Sequence, residues 1–336
     1  MALLDIHDLR VYYETRHGAV KAVDGVGFSM EQGEHLGLIG ESGCGKTTVG
    51  RAIIRVLPRN ARIVEGEISF QGQDLLKLRE REMRHIRWRE IAMIPQSSMD
   101  ALDPVYRVGD QIVEVLVERG GYDRRAAWER AHELFQLVGL DPSRLRYYPH
   151  EFSGGMKQRA VIAMSLALEP ALIIADEPVT ALDVIVQHQV LQRFRELQHE
   201  LSLSVLMITH DMSVVAQTCD SVIVMYAGKM MEWGSVDQIF YHPFHPYTLG
   251  LKQAFPNLAQ PRDELISIEG YLPDLIHPPP GCRFADRCPF ALPDCREAEP
   301  ELIEVEEGHQ VACHRTDDVE ELRARAQEVE TWQTLA

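Results

Sequence analysis

Gly40-Glu41-Ser42-Gly43-Cys44-Gly45-Lys46-Thr47 fits the pattern G-x-x-x-x-G-K-[ST]. Glycines at these places let backbone N–H groups converge on phosphate oxygens, and a helix beginning behind them adds the favourable end of its dipole. Lys46 then reaches the β- and γ-phosphates, and the Thr47 hydroxyl, followed by Thr48, ligates Mg²⁺. The alternative is a glycine-rich turn with no ligand. Farther along, the apolar run Leu172-Ile173-Ile174-Ala175 ends in Asp176-Glu177. In a parallel sheet that end faces the same crevice as the glycine turn, so Asp176 would hold Mg²⁺ through water and Glu177 would polarise an attacking water. Seen alone, the pair reads equally well as solvated acids at a strand end. Upstream of it, Phe152-Ser153-Gly154-Gly155-Met156-Lys157-Gln158-Arg159 places Ser-Gly-Gly at a helix start, a second potential anion cradle in one chain.

A second chemistry sits in the cysteines. Four of the six, Cys282, Cys288, Cys295 and Cys313, fall near the C-terminus with gaps of five, six and seventeen residues. Four thiolates hold tetrahedral Zn²⁺ or an iron–sulfur cluster. The tight C-x₂₋₄-C hairpins usual for structural zinc are absent, and the wider loops suit a larger cubane. Zinc, disulfides and free thiols stay open, with disulfides disfavoured in a reducing compartment. His314 beside Cys313 reads as a solvated histidine. His242 and His245 read as a Pro-fixed turn and not as a nickel site.

These residues need positioning elements. Leu4, Ile6, Leu9 and Val11 roughly alternate with polar residues and, with Ala22 to Met30, read as an antiparallel β entry. His35 to Ile39 is a short apolar strand running into the glycine turn, and Thr47 to Val56 reads as the helix behind it, which opens an α/β unit. Residues 98 to 168 read as an inserted helical lobe, with Trp128, Ala131, Phe135 and Val138 on one helix face closed by Gly139 and Pro142. Strands at 171–175, 205–208 and 222–225, with a helix at 184–201, imply a parallel sheet. After Gly234, prolines at 243, 246, 256, 261, 273 and 278–280 break long periodicities, placing a boundary near 235–260. The acidic stretch Thr316 to Thr331 is expected to fray.

Length and charge bound the rest. With 336 residues, the chain is long enough for roughly two domains at ~150 residues each. Apolar residues make up 45% and charged residues 25%, ordinary globular usage. The net charge of −17 repels phosphate backbones and anionic lipid, so nucleic acid is not expected as a partner. The N-terminal residues show no basic region before a long apolar core, so no signal peptide is expected. The apolar stretch Ala160 to Ala175 is broken by Ser165 and Glu169-Pro170, short of the ~18 residues that a span needs.

The ordered set Gly40–Thr47, Gln96, Ser153-Gly154-Gly155, Asp176-Glu177, Asp183 and His210 resembles the ATP-binding cassette ATPases from about Leu3 to Gly234. The signature departs from the family at Phe152 and Met156, and Cys44 replaces a small polar loop residue. The resemblance implies an α/β fold: a P-loop nucleotide-binding domain with a RecA-like core, an antiparallel β subdomain and a helical subdomain. It also implies a head-to-tail dimer in which Ser153 and Gly155 of one subunit cap the γ-phosphate held by the other subunit's Gly40 to Thr47. By the same resemblance Tyr13, with Tyr12 as the alternative, stacks on adenine. Gln96 senses Mg²⁺ and the water, Glu177 is the general base, His210 contacts the γ-phosphate, and Asp183 works across the dimer interface.

Gln71-Gly72-Gln73-Asp74-Leu75, Ala92 to Gln96, Ser153 to Met156, His245-Pro246-Tyr247-Thr248 and the tail from Pro279 to His314 look like the ATPase subunits of oligopeptide, dipeptide and nickel importers. That resemblance implies a nucleotide-binding domain over 1–255 and a small Cys-rich C-terminal domain over 256–336 carrying a [4Fe–4S] cluster on the four cysteines. It further implies ATP and Mg²⁺ as cofactors, a second related ATPase chain with a heterodimer favoured, two transmembrane permeases, and an extracytoplasmic solute-binding protein acting indirectly. The location implied is the cytoplasmic face of the membrane. The coupling surface is expected near Gln96 to Gly109, around Ser97 to Pro104. The rival class, a soluble cassette ATPase of DNA repair or translation, lacks its usual insertions or second cassette here. Cargo identity is not readable, because specificity belongs to the other subunits.

Overall fold

The computed structural model describes residues 2–96, 101–180, 182–253 and 268–333. They form two compact units, one of Met1–Leu4, Met30–His35 and Ser69–Ile208, the other of Asp5–Ser29, Leu36–Ile68 and Thr209–Ala336.

In the first unit the strands Ile91–Ile94, Leu172–Asp176 and Ser204–Thr209 run parallel side by side. Ile94 lies opposite Ala175, and Asp176 opposite Ile208. All five residues of Leu172–Asp176 are buried, as continuous apolar runs in a parallel sheet must be. The helical lobe expected over 98–168 contains the helices Val108–Glu118, Arg124–Leu137 and Gly154–Ser165. The second of these starts at Asp123, whose carboxylate accepts the N–H groups of Arg125 and Ala126, and it buries Ala127, Ala131, Leu134 and Phe135. The helix Val184–Leu201 matches the expected bounds.

In the second unit the strands Gly18–Met30, Leu4–Thr15 and Ala61–Phe70 lie side by side in that order. Separately, His35–Ile39 pairs in parallel with Ser221–Tyr226, Ile39 opposite Val224. Lys229–Ser235 continues antiparallel, followed by His309–Val311 and Ile303–Glu306. C-terminal residues therefore extend the sheet, with Val311 opposite Glu232.

The tail differs from its expected fraying. Val319–Arg325 and Val329–Gln333 are helices whose Leu322, Ala326 and Trp332 are buried in a cluster with Tyr226, Tyr247, Phe284 and Phe290. A few apolar residues suffice because all of them point into that aromatic cluster, and the Trp332 indole N–H is satisfied by the Ala326 carbonyl at 3.0 Å. Among the described residues no helix is long and apolar enough to cross a membrane.

Candidate functional site

The phosphate-loop sequence lies between the strand His35–Ile39 and the helix Lys46–Ile53, as its spacing requires. Gly45 sits at φ +109, and a Cβ there would come within 2.2 Å of the Ala22 carbonyl oxygen, so only glycine fits. The Lys46 side chain is buried and folds back over the loop. Its ammonium donates to the carbonyls of Gly40 at 2.7 Å and Glu41 at 2.9 Å, and lies 3.7 Å from Cys44 Sγ. Burial raises the Cys44 thiol pKa against the opposing pull of Lys46, so Cys44 stays a neutral part of the loop wall. Ser42 and Gly43 are exposed.

Tyr13 lies against the same helix, its hydroxyl 3.0 Å from Thr48 Oγ1. Tyr12 faces elsewhere and donates to Asp24 Oδ1 at 2.6 Å. Of the two aromatic candidates, Tyr13 is the one tied to the phosphate-loop helix. His210, in this same unit, is exposed at the end of the strand Ser204–Thr209.

The first unit carries the acidic pair and the Ser-Gly-Gly signature. Asp176 is fully buried and Glu177 nearly so. Glu177 takes φ +48, a left-handed conformation rare for a residue with a side chain. Its N–H is bound by the Ile208 carbonyl at 2.7 Å, and Thr180 donates its hydroxyl to Glu177 Oε2 at 2.7 Å. The turn thus aims the carboxylate from both its backbone and its side chain. Gln96 is exposed just past the strand Ile91–Ile94.

Ser153 caps the helix Gly154–Ser165, its hydroxyl accepting the Met156 N–H at 3.4 Å. Gly155 packs so closely on the helix Val184–Leu201 that a Cβ would lie 2.3 Å from Val186 Cγ1. Asp183 caps that second helix, accepting the Val186 N–H at 3.0 Å. Beside it Val184 and Ile185 are 81% and 72% exposed, an apolar face of the kind that marks a contact surface. Ser97 to Asp100 of the expected coupling loop, and Ala181, lie outside the described residues. The neighbouring described residues Trp88, Asp103, Tyr106, Gln111 and Glu118 line an open groove.

All four C-terminal cysteines line one small pocket of about 20 Å³ with Phe284, Phe290 and His245. None is in a disulfide. Burial pushes the Cys282 thiol up to about 11 and the Cys313 thiol up to about 12, and raises Cys288 as well, with neighbouring cysteines reinforcing each shift. Among the described residues, no group of three or more His, Cys, Asp or Glu is arranged to hold a metal ion. His314 is exposed and binds the Ala298 carbonyl at 2.9 Å. His245 is buried, its Nδ1 accepting the Tyr247 N–H at 3.0 Å, and burial pushes its imidazole down to about 3, so it is neutral and occupied in a turn.

Several residues at these sites were not singled out by their sequence positions: Thr180, Arg287, and the pair Asp24 and Arg283. Thr180 alone had a local signal, three residues beyond Glu177.

A phosphate loop after an apolar strand, an acidic strand end and a Ser-Gly-Gly helix start define an ATP-binding cassette ATPase. The sequence model of the ABC transporter family matches residues 23–180, and that of the oligopeptide/dipeptide transporter C-terminal region matches residues 231–295. A probable peptide ABC transporter ATP-binding protein of Sinorhizobium fredii is 47% identical over 94% of this chain and 96% of its own length. The dipeptide transport ATP-binding protein of Bacillus subtilis is 46% identical over 94% of this chain and 95% of its own. An ATP-binding cassette solved as a dimer in a post-hydrolysis state with ADP and phosphate covers 69% of this chain and 98% of its own, at a TM-score of 0.63 and 25% identity. The chain belongs to the family of oligopeptide and dipeptide transport ATP-binding proteins, and it is an ABC-type ATPase.

Proposed function

We propose that this chain is the motor subunit of a peptide importer, working on the cytoplasmic face of the membrane with two permease chains. The observation that carries this reading is the buried Lys46 inside a complete phosphate loop, in a chain 47% identical over nearly its whole length to a peptide transport ATP-binding protein. In this reading residues 40–48 bind the ATP phosphates, and Tyr13 stacks on adenine. Thr47, Asp176 and Gln96 hold Mg²⁺, Glu177 draws a proton from the attacking water, and His210 contacts the γ-phosphate. Ser153, Gly154, Gly155 and Asp183 cap the nucleotide of a partner ATPase subunit, and the exposed Val184 and Ile185 supply apolar area for that face. A related second chain is the favoured partner over a second copy. The groove at Trp88, Tyr106 and Gln111 supports docking of a permease segment there.

We further propose the division into a nucleotide-binding domain over 1–255 and a C-terminal domain over 256–336, the latter cross-linked by a [4Fe–4S] cluster. The convergence of Cys282, Cys288, Cys295 and Cys313 on one pocket supports it. In this reading the group would act as a staple joining the loops that carry the four cysteines. The donor type fits: four soft thiols, none in a disulfide and with apolar walls, are the ligands that iron–sulfur clusters take. When bound it would supply iron–thiolate cross-links. The chain's own part is to shield the thiols from water with Phe284 and Phe290.

Detergent extraction of membranes followed by affinity purification of this chain tests the motor reading. Two permease chains should accompany it. Recovery with ribosomes or DNA in their place overturns it.

A further inference from the structure

Arg287 and Tyr247 converge on one residue of the phosphate loop. Arg287 Nη1 donates to Glu41 Oε2 at 2.8 Å, while its Nε and Nη2 donate to the carbonyls of Glu269 and Ile268, each at 2.8 Å. The Tyr226 hydroxyl lies 3.1 Å from the same Nη1. From another direction the Tyr247 hydroxyl oxygen accepts the Glu41 backbone N–H at 2.9 Å. The Glu41 carbonyl in turn takes the Lys46 ammonium. Glu41 is therefore held at its N–H, its carbonyl and its carboxylate.

These partners are not incidental surface contacts. Arg287 and Tyr247 are both buried, and Tyr247 packs edge-on against Tyr226 and at a tilt against Phe284. Four positions before Arg287, Arg283 donates to the Ala227 carbonyl and to Asp24, the residue that takes the Tyr12 hydroxyl. One seven-residue segment, 282–288, thus grips both the phosphate loop and the strand layer that carries Tyr12 and Tyr13.

We propose that Arg287 and Tyr247 are positioning residues for nucleotide binding: by fixing Glu41, they aim the phosphate-loop N–H groups before a phosphate arrives. Donors aimed in advance cost no reorganisation on binding, so the clamp acts on affinity. Both side chains act through Glu41. This inference rests on reading Gly40–Thr47 as the phosphate site.

Titration of the full chain with Mg²⁺ and ATP by calorimetry, beside steady-state ATPase kinetics, tests it. Tyr247→Phe removes one hydroxyl and little volume, and should weaken ATP binding about fivefold to tenfold. It should raise the KM for ATP more than it lowers kcat and leave the melting temperature of the nucleotide-free chain nearly unchanged. Arg287→Met should weaken binding further, with Arg287→Lys recovering part of the loss. Lys46→Ala reports on the phosphate site itself. If Lys46→Ala loses binding while Tyr247→Phe stays within twofold of wild type, the clamp is overturned and the phosphate site stands. If Lys46→Ala binds ATP like the wild type, the phosphate-site reading falls and the clamp with it. Should Arg287→Met fail to fold, Tyr247→Phe decides alone.

Discussion

Thr180 donates its hydroxyl to Glu177 Oε2 at 2.7 Å, across a turn in which Glu177 itself sits at φ +48. A residue held in a sparsely populated backbone region costs on the order of 1–3 kcal/mol, which the surrounding structure must outweigh. Here a buried strand end and the Ile208 carbonyl hold the backbone, and Thr180 orients one carboxylate oxygen. Glu177→Gln should slow ATP turnover by about 10²-fold to 10⁴-fold while ATP-dependent dimers persist. Thr180→Val keeps the shape and loses the donor, so kcat should fall by about tenfold with ATP affinity unchanged. Steady-state ATPase assays with size-exclusion chromatography in ATP check both, and near-normal hydrolysis by Glu177→Gln removes it from the base role.

Asp24 pairs with Arg283 inside the second unit and also takes Tyr12 and Arg10. Burial alone would raise its carboxyl pKa, but the Tyr12 hydroxyl and the Arg283 and Lys229 charges outweigh burial and hold it below the usual carboxylate range. Its stabilisation is therefore present above the unfolded value of about 4 and is lost as the pH falls through the lower native value. Asp24→Asn leaves Arg283 buried without its counter-charge, and should cost about 3 kcal/mol at neutral pH. Urea melts of wild type and variant from pH 7 to 3 should show the gap narrowing below about pH 4. A constant gap contradicts the assignment.

Gly45 has no room for a Cβ against the Ala22 carbonyl. Gly45→Ala should destabilise the chain by about 2 kcal/mol, from left-handed strain and displacement of the strand carrying Ala22. It should also abolish ATP binding, because the loop cannot keep its shape. Chemical denaturation and nucleotide titration on one preparation check this, and full binding by the variant would falsify it.

Anaerobically purified chain should be brown and carry about four irons, released on replacing Cys288 with Ser. That loss should lower the melting temperature by several degrees, because the loops that carry the four cysteines lose their cross-link. Elemental analysis giving zinc and no iron sinks the cluster.

What the sequence made legible is what the backbone decides locally. Gly40 to Thr47 names its own turn, since its glycines and its flanking strand and helix are contiguous. The helix start at Ser153-Gly154-Gly155 and the helix over 184–201 likewise follow from their neighbours. The preference for Tyr13 over Tyr12 rests on resemblance and not on the residues themselves, and strand alternation sends the two rings to different partners, Asp24 and Thr48. The burial of Trp332 was hidden by its acidic surroundings, and appears only once Phe290 and Tyr247 are brought to it. The Glu41 to Arg287 pair spans 246 positions, beyond any periodicity or motif.

That separation has a kinetic side. At a synthesis rate of about 5–20 residues per second, a ribosome needs on the order of 10–50 s after making Glu41 before Arg287 emerges. The nascent chain therefore carries its glycine-rich turn for most of its translation without the guanidinium that braces it. A product cut short before residue 287 lacks that brace permanently, so its phosphate loop would stay unbraced at the Glu41 carboxylate.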